Sequence, residues 1–282
     1  MQYFLIVKKV LGTLEKLREA AREMRIAVVK MTTVAGSGHP GGSLGMADVF
    51  AALYLGGVLK FKPGDARWKG RDYFILSNGH LNPAWYAALA EAGCIRKGEL
   101  LTLRKLGSRL QGHPVRGALP QVEVSTGSLG QGIGVAVGIA LGMKMSRLPN
   151  RVYCSMGDGE LEEGSCWEAF AAASHYKLDN LTIFIDRNGL QQNGGTEGIM
   201  ALEPLAGRLA AFGLSVISAD GHDFKQILAA FKKARATKGR PSVIIFKTIM
   251  GKGVSFMQAK CEWHGKALSQ TQAAEALREL EK

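Results

Sequence analysis

Short apolar runs alternate with amphipathic segments along most of the chain. Five runs end at turn signals and predict strands over 73–76, 151–156, 181–186, 214–218 and 241–247. Outside these runs, the spacing of apolar positions predicts helices over 13–33, 81–92, 129–146, 161–177, 203–212 and 223–236. Strands that are apolar throughout and alternate with helices are typical of a parallel sheet covered on both faces. The pattern therefore predicts a single α/β domain over residues 1–282, with a mainly parallel sheet flanked by helices on both faces.

Two glycine-rich segments interrupt this pattern. The segment SGHPGGSLG, residues 37–45, predicts a break after the first helix, with the next helix beginning near Met46. The segment STGSLGQGIGVAVG, residues 125–138, predicts a loop that opens a helix of small apolar residues. Its spacing matches neither GxGxxG after a strand nor GxxxxGK followed by Ser or Thr. The loop serves either tight helix packing or close contact between the backbone and a flat ring.

The composition is that of an ordinary globular protein, because 46% of the residues are hydrophobic and 21% are charged. The longest apolar stretches are too short to span a bilayer, and the start MQYFLIVKK lacks the pattern of a secretory signal. The four cysteines are far apart and form no CxxC motif, which predicts reduced thiols. We therefore expect a cytoplasmic protein without a membrane segment.

Positive charge is concentrated towards the end of the chain. The formal net charge is +12, and residues 232–266 contain nine Lys and Arg against one acidic residue, Glu262. This stretch is either a solvated surface or a surface for an acidic partner or a phosphorylated small molecule. We expect no nucleic-acid partner, because the stretch has no recognition motif and no interleaved aromatic residues.

A carboxylate and an amide follow two successive strands. Asp158, in the acidic segment GDGELEEG, follows the second predicted strand, and Asn188 follows the third. A single crossover separates them, so both side chains reach the same edge of the sheet. Their oxygens suit Mg²⁺, while Gly159 and a helix start near Leu161 favour a bound anion. The pair indicates either a metal-bridged diphosphate or two plain turns, whereas each motif alone is more simply a turn.

Histidines point to the same chemistry. Those that lie next to Gly or Pro, in loops, are His39, His80, His113, His222 and His264. Together they suggest a polar pocket that handles an oxygen-rich ligand and moves protons. Zinc is disfavoured, because no two histidines have i, i+4 spacing and no Cys–His pair has zinc-ligand spacing. The remaining histidine, His175, lies in a helical segment and is interpreted as structural.

The residues carrying this chemistry resemble those of the transketolase family. The segments that resemble its N-terminal half, in order, are SGHPGGSLGMAD, RDYFILSNGH, QGHP, STGSLGQGI, DGHD, KTIMGKGVSFM and WHGKALS. The GDG at 157–159 with Asn188 resembles the thiamine diphosphate motif of that family. The similarity covers essentially the whole chain, with Ser128 standing where the family usually has Pro. It implies the diphosphate-binding (PP) fold and the cofactors thiamine diphosphate and Mg²⁺, with Ca²⁺ or Mn²⁺ as substitutes.

The resemblance also implies roles for individual residues. The metal ligands would be Asp158, Asn188 and the carbonyl of Leu190. The cofactor-binding residues would be His80, Gly127, Leu129, Gly159, Glu163, Asn188 and His264. The channel that holds sugar hydroxyls and moves protons would be lined by His39, His80, His113 and His264, with His39 and His264 as the preferred acid–base groups. Glu163 would reach across a subunit interface towards the glutamate that activates the cofactor, whereas Glu160 and Glu162 are interpreted as caps of a helix dipole.

The sequence contains no counterpart of the pyrimidine-binding and C-terminal domains of full-length transketolases, which supply the activating glutamate. The resemblance therefore implies the N-terminal subunit of a split transketolase, silent alone and active with a C-terminal partner subunit. A homodimer and a heterotetramer with the partner are both open. The implied reaction moves a two-carbon ketol unit from a ketose phosphate to an aldose phosphate. Three alternatives remain: a deoxyxylulose-phosphate synthase using pyruvate, a transketolase for an unusual or unphosphorylated sugar, and a non-catalytic assembly platform.

Overall fold

A parallel sheet organises residues 14–282, which are described in a computed structural model. Its strands are β1 (Tyr73–Leu76), β2 (Val152–Gly157), β3 (Leu181–Arg187), β6 (Ser215–Asp220) and β7 (Ser242–Lys247). Their order is β1-β2-β3-β7-β6, and every neighbouring pair is parallel. Each strand begins and ends within two residues of an apolar run, so the predicted sheet is confirmed. A short antiparallel hairpin of β4 (Leu190–Gln191) and β5 (Gly194–Gly195) follows β3.

Helices surround the sheet and connect its strands. They are α1 (Leu14–Ala35), α2 (Pro40–Leu55), α3 (Asn82–Glu91), α4 (Gln131–Met145), α5 (Gly164–His175), α6 (Thr196–Ile199), α7 (Leu205–Ala211), α8 (Phe224–Ala236) and α9 (Gln270–Leu280). Within the described part of the chain, none of these helices has the length and apolar character needed to cross a membrane. The start MQYFLIVKK and the first residue of the helix predicted over 13–33 lie outside the described residues.

Side chains of the strands alternate between two hydrophobic cores. On one face, Phe74, Tyr153 and Phe184 are buried against α1, α2, α3, α8 and α9. On the other face, Ile75, Cys154 and Ile183 are buried against α4, α5 and α7. Each such side chain contributes about 1.5–3 kcal/mol through removal from water. The expectation of helices on both faces is confirmed, and the mostly apolar character of the strands follows from it.

The second helix begins earlier than the sequence pattern predicts. Helix α2 starts at Pro40 rather than near Met46, so residues 40–45 of the glycine-rich segment lie inside the helix. A Cβ atom at Gly41 would lie 2.6 Å from the carbonyl oxygen of Trp263, and one at Gly45 would lie 2.9 Å from that of Ile249. These glycines therefore permit close packing of loops on the helix, and Pro40 fits its first turn.

The helix after the acidic segment begins later than predicted. A 3-10 turn occupies Gly159–Glu162, and α5 starts only at Gly164. The carboxylate of Asp158 accepts from the backbone N of Gly159 at 2.8 Å, which fixes the turn directly after β2. The acidic residues of this turn therefore lie beside the carboxyl ends of the strands and before the α-helix.

Candidate active site

A cavity of about 340 Å³ opens where the strands end. Asn78 and His80 reach it from the loop after β1, Asp158 from the loop after β2, and Asn188 from the loop after β3. Met250, beyond β7, closes another side. Ligands of parallel sheets bind at this edge, because the loops after neighbouring strands converge there.

Four histidines converge on the cavity. The ring centroid of His39 lies 5.2 Å from that of His80, 6.0 Å from that of His113 and 5.7 Å from that of His264. The rings of His80 and His264 are 5.0 Å apart. These residues come from four separate loops, so the fold brings together what the sequence separates by more than 200 positions.

Burial keeps these histidines uncharged. It lowers the pKa of His39 to about 4, with further contributions from His264, Arg104 and His113. Burial also lowers the pKa of His80 well below its usual value and that of His113 and His264 in the same direction. A neutral imidazole near a hydroxyl group can accept its proton and return it later. The cluster is therefore suited to proton transfer at neutral pH.

His222 does not belong to this cluster, which corrects its assignment to the pocket. Its Nδ1 pairs with Oδ2 of Asp48 at 2.8 Å, and its Nε2 accepts from the backbone N of Ile249 at 2.9 Å. Asp48 also binds Arg25. Strand β6 lies at the edge of the sheet, so its loop packs against α2 instead of the cavity. His175 is exposed at the end of α5, against the ring of Tyr176.

Asp158 and Asn188 stand side by side, as their positions after two strands predict. Strands β2 and β3 are neighbours, with Gly157 paired to Asp186. Oδ2 of Asp158 accepts from the backbone N of Gly189 at 2.7 Å, and burial raises the pKa of this carboxyl. Oδ1 of Asn188 accepts from the backbone N of Leu190 at 2.9 Å. Side-chain oxygens from both strands thus meet at the cavity wall.

Asp186 is a cavity residue that the sequence reasoning missed. It ends the apolar core of β3 and is fully buried, and burial together with the charge of Asp158 raises its pKa to about 7. Thr248 donates to its Oδ1, and Nδ2 of Asn188 donates to its Oδ2 at 3.0 Å. A carboxylate closing an otherwise apolar strand was the available signal, because such a buried acid requires partners.

Glu160 holds three loops together and is not a simple helix cap, contrary to the sequence interpretation. Its buried carboxylate accepts from Oγ of Ser77, from the backbone N of Gly130 at 3.0 Å and from that of Gly157 at 3.1 Å. These donors follow β1, precede α4 and end β2. Glu162, by contrast, makes a 3.4 Å contact with Nε2 of Gln191. The sequence signal was ambiguous, because a glutamate after Gly-Asp-Gly resembles a dipole cap.

The loop before α4 brings backbone close to the histidines. Gly127, at φ +136°, has a conformation that favours glycine, and a Cβ there would lie 3.0 Å from the ring of His113. Gly127, Leu129 and Gly159 all line the cavity, as does Leu190. Glu163 is exposed, is the N-cap of α5 and lies outside the lining residues, so its assigned role remains a prediction.

Several polar atoms around the cavity have no hydrogen-bond partner within residues 14–282. They are both amide atoms of Asn78, Oε1 of Gln191, and Nδ1 of His39 and of His264. Leaving one such atom buried and unpaired costs roughly 1–3 kcal/mol. Gln191 and the neighbouring Gln192 are further lining residues that the sequence reasoning missed. The cavity therefore fits a ligand with several hydrogen-bonding groups.

Known proteins share this architecture. Residues 17–281 match the family model described as transketolase, thiamine diphosphate binding domain. The chain is 42% identical over 271 residues to a transketolase of Homo sapiens, covering 95% of this chain but 42% of the human protein. It is also 42% identical over 247 residues to the 6-deoxy-6-sulfo-D-fructose transketolase subunit SqwG of Clostridium sp., covering 88% of this chain and 90% of that subunit.

Solved structures agree with the sequence relatives. The transketolase from Leishmania mexicana superposes with a TM-score of 0.89 at 33% identity, over 94% of this chain and 41% of that one. The chain thus spans about two fifths of the length of the full transketolases that it matches. It belongs to the transketolase family and corresponds to the N-terminal thiamine diphosphate-binding domain of that family.

Proposed function

We propose that this chain binds thiamine diphosphate and Mg²⁺ in the cavity and, with a partner polypeptide, transfers a two-carbon ketol unit from a ketose to an aldose. The observation that carries the proposal is the single cavity in which four uncharged histidines face Asp158 and Asn188. The histidines supply proton transfer, and the two oxygen-bearing side chains supply a place for a cation at a diphosphate.

The residues present fit these two cofactors. Asp158, Asn188 and the carbonyl of Leu190 would hold Mg²⁺, with Ca²⁺ or Mn²⁺ as substitutes. No group of three or more His, Cys, Asp and Glu in the described region is arranged for a metal. The proposed ligands are instead one carboxylate with amide and backbone oxygens, which would suit Mg²⁺ because it prefers oxygen ligands.

The cofactor contacts follow from the lining residues. Gly159, His80 and His264 would bind the diphosphate, while Gly127 and Leu129 would contact the rings. The unpartnered Nδ1 atom of His264 supports this assignment, because a phosphate oxygen would relieve its missing hydrogen bond.

The division of labour between cofactor and chain is clear. Thiamine diphosphate, when bound, supplies the electron sink for breaking a carbon–carbon bond next to a carbonyl group. His39 and His264 are the candidates to take the proton from the C3 hydroxyl of the donor sugar and to return it to the acceptor. His80 and His113 would hold the other hydroxyl groups, and the surrounding burial excludes water from this exchange.

We also propose that a second polypeptide supplies the pyrimidine-binding half. The support is the similarity to SqwG, which is named a subunit and which the chain matches over 90% of its length. Such an enzyme would assemble as a homodimer of this chain or as a heterotetramer with two partner chains, because closed symmetric assemblies predominate. Its setting would be cytoplasmic sugar-phosphate metabolism.

The donor sugar has a second candidate. SqwG is named for 6-deoxy-6-sulfo-D-fructose, so a sulfonated ketose is an alternative to a ketose phosphate. Both donors present a dianionic or anionic group at the far end of a ketose. Pyruvate, the donor of a deoxyxylulose-phosphate synthase, lacks the hydroxyl groups that the four histidines would contact.

A reconstitution assay tests the proposal. The chain is mixed with a polypeptide that matches the C-terminal part of transketolases from the same genome, with Mg²⁺ and thiamine diphosphate. Ketol transfer to ribose 5-phosphate is followed from a ketose phosphate and from 6-deoxy-6-sulfofructose, and release of carbon dioxide is followed with pyruvate, which can donate only a decarboxylated two-carbon unit. We expect activity in the mixture with a ketose donor and none with Asp158→Ala. Activity of the chain alone would contradict the need for a partner, and cofactor-independent or absent transfer would contradict the proposed reaction.

A further inference from the structure

Arg187, the last residue of β3, links Asp158 to the segment that follows the β4–β5 hairpin. Its Nη1 donates to Oδ2 of Asp158 at 3.1 Å and to Oγ1 of Thr196 at 2.6 Å. Its Nη2 donates to Oε1 of Glu197 at 2.6 Å and to Oε1 of Glu203 at 3.1 Å. The Arg187 side chain is 13% exposed. The planar guanidinium is therefore fixed from both sides, which a more flexible lysine would not achieve.

Hydrogen bonding distinguishes the two oxygens of Asp158. Oδ2 accepts from the backbone N of Gly189 at 2.7 Å and from Arg187, and these two hydrogen bonds use both lone pairs of Oδ2. Among the described residues, Oδ1 accepts only from the backbone N of Gly159, at 2.8 Å. One acceptor position of a carboxylate that lines the cavity is therefore open, and it belongs to Oδ1.

The acidic partners of Arg187 differ in their exposure to solvent. Asp158 is 3% exposed, whereas Glu197 and Glu203 are 45% and 58% exposed. Exposed ion pairs stabilise a fold by only about 0–1 kcal/mol. The ion pairs of Nη2 with Glu197 and Glu203 therefore hold the guanidinium in place. The hydrogen bond of Nη1 acts on the buried carboxylate of Asp158, whose orientation matters for any ligand in the cavity.

We propose that Arg187 is a positioning residue for the metal site: by occupying Oδ2, it presents Oδ1 as the cation-binding oxygen of Asp158. The inference rests on the proposed function, because it needs a cation at Asp158. Arg187 contacts neither the cation nor the cofactor and acts only through Asp158. Groups that hydrogen-bond a ligating carboxylate fix its orientation, and their loss weakens metal binding by roughly 10–100-fold.

Calorimetric titration tests this role. MgCl₂ is titrated into the full chain with saturating thiamine diphosphate, and the titration into thiamine diphosphate alone is subtracted. The variants are Arg187→Met, the polar Arg187→Gln, and Glu203→Gln as a matched control that removes an outer ion pair without touching Asp158. We expect the apparent Kd for Mg²⁺ to rise roughly 10–100-fold in Arg187→Met, less in Arg187→Gln, and to stay within about twofold in Glu203→Gln.

The outcomes separate this inference from the function on which it rests. Wild-type Mg²⁺ affinity in either folded Arg187 variant overturns the inference, even if its thermal midpoint falls, because a structural role alone lowers stability without changing the affinity of the folded protein. Asp158→Ala serves as the reference. If it binds Mg²⁺ as the wild type does, the metal site and the proposed function fail, and the inference fails with them.

Discussion

Burial sets the proton chemistry of the cavity histidines. Each side chain loses solvation in its charged form, and the nearby rings would repel one another if two were protonated. For His39, burial lowers the pKa to about 4. The same cost that keeps these rings neutral, and therefore able to accept protons, makes the fold sensitive to acid.

The first prediction concerns this acid sensitivity. Because the pKa of His39 is about 4 when folded and its ordinary value is 6.5, the unfolded chain binds a proton that the folded chain excludes between these values. The free energy of unfolding is therefore fully retained above about pH 6.5 and falls as the pH drops towards 4, by on the order of 2 kcal/mol from His39. We expect His39→Gln to flatten this dependence in urea titrations at about pH 7 and about pH 5. If the free energy of unfolding falls as steeply with pH in His39→Gln as in the exposed control His175→Gln, the assignment of this loss to His39 is contradicted.

The second prediction concerns Glu160. The carboxylate of Glu160 accepts hydrogen bonds from the backbone N–H groups of Gly130 and Gly157. In Glu160→Gln, the side-chain NH₂ group would face one of these two donors, so that hydrogen bond is lost. We expect the free energy of unfolding to fall by about 1–3 kcal/mol. Glu162→Gln is the matched control, since Glu162 makes only a 3.4 Å contact with Gln191. Equal stability of the two variants in urea unfolding would show that Glu160 does not hold the loops together.

Among single residues, the sequence predicted the site residues whose type is unusual for their position. His39, His80, His113 and His264 stood out as loop histidines, and the fold brings them together. His222 carried the same signal, and only the position of β6 at the sheet edge separates it. Asp186 gave a weaker signal, as a carboxylate that closes an apolar strand, and Arg187 gave none, because its role depends on partners that the chain brings from elsewhere.

The glycines of α2 and α4 have different purposes. Gly41 and Gly45 of α2 face the backbone of the loops that carry Trp263 and Ile249 and permit their close approach, whereas Gly42 faces the side chain of Leu81. Those at Gly134, Gly138 and Gly142 of α4 face open space. From the sequence, both groups of glycines are interpreted as helix breaks or as sites of close packing. Only the atoms that surround each glycine in the fold distinguish the two groups.

The third prediction uses this contrast. We expect Gly41→Ala to lower the free energy of unfolding by about 1–3 kcal/mol, because its Cβ would lie 2.6 Å from the carbonyl oxygen of Trp263. Gly134→Ala should raise it by about 0.5–1 kcal/mol, because alanine favours an exposed helix position. Thermal and urea unfolding of both variants measure the difference. Stabilisation by Gly41→Ala would mean that the loop carrying Trp263 is not held against α2.

The strands were predictable because both faces of the sheet are covered. Their positions are mostly apolar, so short apolar runs and turn signals located each one closely. The first residues of α2 and α5 were not predictable. The start of α2 depends on contacts with Trp263 and Ile249, which are distant in sequence, and the start of α5 depends on the turn that Asp158 fixes, which helical periodicity does not reveal. Packing at a distance, rather than local propensity, fixes these boundaries.

For the whole molecule, the basic stretch separates into two groups. Lys232, Lys233, Lys238 and Arg240 lie on α8 and before β7, at the end of the sheet opposite the cavity. Lys252, Lys260 and Lys266 follow β7, and Lys266 lies 5.0 Å over the ring of Trp263, next to the cavity histidine His264. Strand β7 runs between these two groups, and a role of either group towards an acidic partner or a phosphorylated small molecule stays a prediction.

The fourth prediction concerns cofactor-linked stability. A ligand that binds only the folded chain stabilises it by about 2.7 kcal/mol at a free concentration of roughly 100 Kd. We expect thiamine diphosphate with Mg²⁺ to raise the thermal midpoint, and chelation of the metal or Asp158→Ala to abolish the rise. Glu203→Gln should retain it. An unchanged midpoint at every cofactor concentration would contradict binding in the isolated chain.

The most direct test of the cofactor site is a crystal structure of the chain with its partner subunit, grown with thiamine diphosphate and MgCl₂. We predict a cation on Asp158, Asn188 and the carbonyl of Leu190, with the diphosphate beside Gly159, His80 and His264. The aminopyrimidine and thiazolium rings should lie against Gly127 and Leu129. A cofactor bound away from the four histidines, or a cation without Asp158 as a ligand, would contradict the proposed site.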